Sequence, residues 1–140
     1  MIKIQKKDFN IDEEIKLLKD KYSNVGAVNI FIGYVRDYND NKDVKYLDLE
    51  VYKDMAIKEL TKIKDQAFLK WNLVDCLVLH RYGKLEVNEK IVLVVCLSEH
   101  RKDSFESCKF IMDYLKKNAP FWKKEFYKNG SSWLENSSQY

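Results

Sequence analysis

The chain has 140 residues, with 25 Lys plus Arg against 22 Asp plus Glu, 46% hydrophobic and 14% aromatic residues, and only 4 Gly and 1 Pro. One globular domain over residues 1–140 is expected, large enough to bury roughly 70% of the surface its unfolded form exposes, and the composition excludes disordered and collagen-like chains. The longest apolar run, Ile91 to Leu97, is far short of the ~20 residues that a bilayer-spanning helix needs.

The opening stretch MIKIQKKDFNIDEE has neither an apolar h-region nor a small-residue cleavage site, so a cytoplasmic location is expected. Cys76, Cys96 and Cys108 are odd in number and form no CxxC pair, which suits buried thiols in a reducing compartment. Charge is uneven: residues 1–100 carry 17 basic and 17 acidic side chains, whereas residues 101–140 carry 8 and 5. The whole surplus of +3 therefore lies in the last 40 residues.

Asn10 followed by Glu13 reads as a capping box, and Ile11, Ile15, Leu18 and Tyr22 then recur at helical spacing. Val25 to Val35 is rich in β-branched and aromatic residues and ends in the polar stretch RDYNDNKD, which predicts a strand running into an exposed loop. Val44 to Tyr52 alternates as a strand does, and Met55, Ala56, Ile57, Leu60, Ile63, Ala67, Phe68 and Trp71 trace one face of a long helix. Leu73 to Leu79 and Ile91 to Leu97 read as interior strands, with room for a short strand in HRYGKLEVNEK between them. Phe105, Cys108, Ile111, Met112 and Leu115 mark a last helix that begins at Arg101 and stops before Pro120. Asn129-Gly130, between FWKKEFYK and SSWLE, signals a hairpin turn.

Three places carry potential chemistry. His100-Arg101 falls where a strand ends and a helix begins, a location where free N–H groups and side chains collect anions; the competing reading is an arginine bridged to a nearby carboxylate beside an ordinary surface histidine. In DYLKKNAPFWKKE, Pro120 breaks the helix and Phe121-Trp122 anchors the chain, so Lys123 and Lys124 are held in place near Lys116 and Lys117. A lysine held among other cations and partly desolvated has a lowered pKa suited to proton transfer or carbonyl attack, although a solvated face also accounts for the charge. Tyr34-Val35-Arg36 ends a buried strand, where Arg36 presents a planar fork either to a phosphate or to Asp37, Asp40 or Asp43. His80-Arg81 repeats the His-Arg pair at another strand end. Two histidines 20 residues apart make no metal motif, and P-loop, GxSxG and GxGxxG signatures are absent. Basic residues interleaved with Tyr, Phe and Trp also permit a single-strand nucleic-acid platform, against which the charge balance of residues 1–100 argues.

In order, GAVNIFIGYVRD, LEVYKDMAIKEL, LHRYGKLEVNE, EHRKDSFESCKFIMDYLKKNAPFWKKE and GSSWLE resemble the large, catalytic subunits of molybdopterin synthase. The likeness runs from about Gly26 to Glu135. It implies an α+β fold, an α/β-hammerhead domain with an accessory antiparallel β-sheet. It also implies a homodimer carrying one small ubiquitin-like sulfur-carrier subunit on each protomer, in a 2:2 heterotetramer, with no nucleic acid or membrane partner. The carrier would bring sulfur as a C-terminal Gly-Gly thiocarboxylate, and this sequence, which finishes in Ser-Ser-Gln-Tyr, would take the receiving role.

The implied substrate is cyclic pyranopterin monophosphate, the implied product is molybdopterin, and neither a redox cofactor nor a catalytic metal is implied. The family's substrate pocket falls on Tyr34, Val35, Arg36, His100, Arg101, Lys116, Lys123, Lys124 and Glu125, with Lys116 and Lys123 in the catalytic roles. Asn88 stands where a turn glycine is frequent, and Glu99 precedes His100 where a small residue is usual. The Glu99 carboxylate then either faces Arg101 or lies on the other side of its strand.

Overall fold

A computed structural model describes residues 1–39, 42–118, 120–127 and 130–134. Its elements run β1 (Ile2–Gln5), α1 (Ile11–Lys19), β2 (Ala27–Tyr34), β3 (Tyr38–Asn39), β4 (Lys42–Val51), α2 (Lys53–Lys70), β5 (Leu73–Arg81), β6 (Gly83–Glu86), β7 (Lys90–Ser98), α3 (Arg101–Asn118), β8 (Phe121–Tyr127) and β9 (Gly130–Trp133). The fold is the mixed α+β architecture that the resemblance implies, with two sheets.

The first sheet has the order β1-β5-β7-β2, with β1 parallel to β5 and the other pairs antiparallel. Its two interior strands bury both faces, and the alternation of side chains sorts them into two cores. Cys76, Val78, Val92, Val94 and Cys96 join Leu60, Ile63, Ile111 and Leu115 of α2 and α3. Leu77, Leu79, Leu93, Val95 and Leu97 face the other way, onto Phe9 and Leu18 at α1. This two-sided burial makes both strands read as nearly unbroken apolar runs. In the second sheet β4 is central, flanked by β6 and β8, with β3 folded onto its start and β9 beyond β8.

Helix α1 starts where its capping signal places it: the Asn10 side chain accepts from the Glu13 N–H at 3.0 Å. Asn10→Ala is expected to lower stability by about 1 kcal/mol, the usual cost of an uncapped helix start, and a urea titration checks it. Asn88 has φ 72°, a left-handed turn that asparagine tolerates better than most residues with a side chain.

Two features escape the sequence pattern. Strand β1 is only four residues long, too short for alternation to register, and is followed by Lys6 and Lys7, yet it docks parallel along β5 from Ile2 opposite Val78 to Gln5 opposite Arg81. The stretch expected to be an exposed loop after β2 instead folds into a tight pair, Tyr38 opposite Asp43 and Asn39 opposite Lys42, and β4 begins two residues before Val44. Backbone pairing overrides the polar composition there. The turn expected at Asn129-Gly130 falls partly outside the described residues, since Asn129 does; its flanking strands β8 and β9 are antiparallel, Tyr127 opposite Gly130.

Candidate active site

Helix α3 stops at Asn118, and after Pro120 the chain resumes as β8 along β4. Strand period then sends alternate side chains of β8 to opposite faces. Phe121, Lys123 and Glu125 point into the protein and are buried, Glu125 completely, while Trp122 and Lys124 take the outer face. The Lys124 ammonium lies 5.4 Å from the Phe126 and Trp133 ring centroids, so it covers aromatic surface away from Lys123.

Lys123 is the chemically distinctive group. Burial, with the Lys116 charge from the last turn of α3 added to it, lowers its pKa from the ordinary 10.5 to about 8. Its backbone carbonyl accepts from the Leu134 N–H at 2.8 Å, which holds the strand at that residue. Beside it, the Tyr127 hydroxyl donates to Glu125 Oε1 at 2.7 Å and lies 2.9 Å from Ser132 Oγ. A lysine whose amine and ammonium forms are both accessible near neutral pH can bind an anion and also move a proton.

The end of β2 lies at the same end of the first sheet as the start of β7, Tyr34 being opposite Lys90. Helix α3 packs on β7 and β2 and runs back from the end of β7, so its last turn, with Lys116, returns toward that end. There Tyr34 is exposed. Val35 is buried and tied to the β6–β7 turn by its N–H to the Glu89 carbonyl and its carbonyl to the Asn88 N–H, each 2.9 Å. It can offer a ligand only a shaped wall. Arg36 follows, exposed.

His100 and Arg101 lie elsewhere. They are exposed at the start of α3, and Ser98 Oγ and Ser104 Oγ donate to their carbonyls at 2.5 and 3.0 Å, fixing the strand-to-helix junction. The Glu99 carboxylate accepts from Asn24 Nδ2 at 3.4 Å, and among the described residues no ion pair engages Arg101. Arg101 and Lys116 are separated by about 22 Å along the helix axis at 1.5 Å per residue. The structure thus brings Lys116, Lys123 and Glu125 together with the β2 end on their side of the sheet. It does not bring His100 and Arg101 to them within one chain.

The second His-Arg pair is structural in its arginine. Arg81 is buried and donates to the carbonyls of Lys6 at 3.1 Å and Lys90 at 2.9 Å, with Glu89 at 3.4 Å. His80, by contrast, is buried against Phe121, in the electrostatic reach of Lys123. Nothing local in the sequence links residue 80 to residue 123, so the His80-Arg81 pair carries no signal that connects it with the lysines. Among the described residues no group of three or more His, Cys, Asp and Glu side chains is arranged to hold a metal ion, and no helix is long and apolar enough to cross a membrane.

The fold is α+β, with a lysine-centred cluster where the end of α3 meets the second sheet. Residues 4–118 match the family model described as MoaE protein. The molybdopterin synthase catalytic subunit of Ralstonia nicotianae is 47% identical over 134 residues, covering 96% of this chain and 76% of that protein. The crystal structure of molybdopterin synthase from Staphylococcus aureus aligns with a TM-score of 0.89 and 30% identity, over 96% of each chain. A structure described as the complex of subunits 1 and 2 of molybdopterin-converting factor from Helicobacter pylori shares the fold, with a TM-score of 0.80 and 24% identity, over 99% of this chain and 92% of that one. The chain belongs to the MoaE family, that of the molybdopterin synthase catalytic subunits.

Proposed function

We propose that this chain is the sulfur-receiving subunit of a sulfurtransferase, moving two sulfurs from the C-terminal thiocarboxylate of a small ubiquitin-like carrier onto cyclic pyranopterin monophosphate to form the molybdopterin dithiolene. The observation that carries the reading is Lys123, buried yet ionisable near pH 8 and adjacent to Lys116 on a chain of this family. Each transfer replaces one C–O bond of the substrate side chain with a C–S bond, the displaced oxygen leaving as water or with the opened phosphate. It consumes one thiocarboxylate, whose acyl carbon takes oxygen from water and leaves as a carboxylate. The cyclic phosphate opens between the two steps.

Lys116 and Lys123 position the thiocarboxylate and move protons, and Arg36, His100 and Arg101 bind the phosphate and pterin. Tyr34, Val35, Lys124 and Glu125 complete the pocket, Val35 through its buried wall and Lys124 from the outer face of β8. Fixed cations stabilising the thiolate and the freed phosphate supply the largest protein contribution. The reaction is assayed by mixing this protein, a thiocarboxylated carrier and the cyclic precursor, and looking for a dithiolene-bearing pterin. No product with a verified cognate carrier would refute the reading.

The separation of Arg101 from Lys116 supports a homodimer in which His100 and Arg101 of one copy reach the lysine cluster of the other. Refolding Arg101→Ala and Lys123→Ala chains together in equal amounts is then expected to restore about a quarter of the parent activity, because half of the dimers are mixed and each holds one intact site. A site contained in one chain would recover nothing.

A further inference from the structure

His80 is the next-to-last residue of β5 and fully buried. Its ring stacks on that of Phe121, with centroids 3.8 Å apart and planes 20° from parallel. The contact fastens the two sheets together, because β5 lies in the four-stranded sheet and β8 in the other. Phe121 and Lys123 share the buried face of β8, so fixing the Phe121 ring fixes the stretch of backbone from which the Lys123 side chain departs.

The imidazole is oriented in its own plane as well. Nδ1 lies 2.8 Å from the Arg81 carbonyl oxygen. A carbonyl only accepts, so Nδ1 carries the hydrogen, and in the neutral ring Nε2 is an acceptor. Burial, reinforced by the Lys123 charge, pushes the pKa of His80 down to about 3, so the ring stays neutral across the physiological range. The charged groups around Lys123 are Lys116 from α3 and Glu125 from its own strand, while the apolar Leu49 faces it from β4. A neutral histidine fills this position without adding a third positive charge to the cluster.

We infer that His80 is a positioning residue for Lys123: its ring, clamped between the Arg81 carbonyl and the face of Phe121, sets where β8 enters the site and hence where the Lys123 amine lies. This rests on the sulfur-transfer reading of Lys123. A histidine at this depth is not needed for packing alone, since the surrounding strands are filled with Val and Leu.

The test uses two variants that attack the clamp from opposite sides. His80→Phe keeps an aromatic ring for Phe121 but loses the hydrogen bond and the lone pair, and Phe121→Leu removes the stack and leaves the histidine. In each, kcat is expected to fall at least ~10-fold through misplacement of the reacting group, with KM for the carrier unchanged. The midpoint of the kcat/KM profile near pH 8 is expected to move in both variants, as the displaced amine changes its burial and its distance from the Lys116 charge. A folded variant with the parent kcat and midpoint would overturn the inference. The unmodified protein supplies an independent readout: long-range proton–nitrogen spectra must show a neutral Nδ1–H ring from pH 5 to 8, and a charged ring or the Nε2–H tautomer refutes the clamp. Lys123→Ala separates the two failures. Full activity there removes the reading of Lys123, whereas loss of activity there with normal His80 variants removes only the positioning role.

Discussion

Lys123→Met is expected to abolish turnover and raise the melting temperature together. Burial with a neighbouring cation lowers the Lys123 pKa from 10.5 to about 8, and that shift corresponds to about 3 kcal/mol by which the folded state disfavours the ammonium. Between pH 8 and 10.5 the unfolded chain binds the proton that the folded chain has released, so stability rises with pH across that window; below it the full cost is present. Methionine fills similar volume with no charge, so at pH 7 the variant should gain up to about 3 kcal/mol, roughly 10 °C in melting temperature. Its advantage should shrink as pH rises from 8 toward 10.5. Turnover should fall at least ~100-fold, the scale of a lost proton-transfer group. A variant that melts lower at pH 7 would show that the Lys123 charge is well accommodated in the fold. In the parent, the proposed role of the Lys123 ammonium opposite the thiocarboxylate predicts that kcat/KM declines above pH 8, as that charge is lost. Lys116→Ala should slow turnover on the same scale and move that decline to higher pH, since the Lys116 charge is one of the two causes of the depression.

Gly26→Ala should disturb the backbone that leads into His100 and Arg101, the residues proposed to bind phosphate and pterin. Gly26 donates its N–H to the Ser98 carbonyl at 3.0 Å, and a Cβ built there would lie 2.2 Å from the Glu99 carbonyl oxygen. No side-chain rotation relieves a clash with main chain, so the segment leading into His100 and Arg101 must move. The expected cost is about 3 kcal/mol, at the upper end of overpacking effects. Substrate KM should rise at the same time, while the Lys123 limb near pH 8 stays in place. Calorimetry and a pH–rate profile on one preparation check both; an unchanged melting temperature would mean that the approach of the two strands is looser than the structure shows.

Much of this was legible from residue order because the relevant signals are local. Asn10 and Glu13 mark a helix start, Pro120 marks a helix end, and apolar runs such as IVLVVCL identify strands covered on both sides. Pro120 and Phe121-Trp122 mark where the chain is anchored after the last helix, but the inward, desolvated position of Lys123, as against Lys124, comes from the pairing of β8 with β4. What stayed hidden depends on distant pairing. The short β1 is a strand only because β5 offers an edge to it, Lys124 turns away from Lys123 only because β8 pairs with β4, and His80 meets Phe121, 41 positions later, only in the folded chain. Arg101 and Lys116 both carry anion-binding chemistry, yet spacing along a helix separates them in one chain whatever their charge.

Because Arg101 opens α3 and Lys116 sits in its last turn, that helix serves as a gauge that fixes the distance between them. One residue inserted between them would swing everything downstream through 100° and carry it 1.5 Å further along the axis, taking Lys116 off its face and Pro120 out of its corner. The stretch should therefore accept many changes of side chain on its outward surface, at Lys102, Lys109 or Asp113, while rejecting nearly every change in its number of residues.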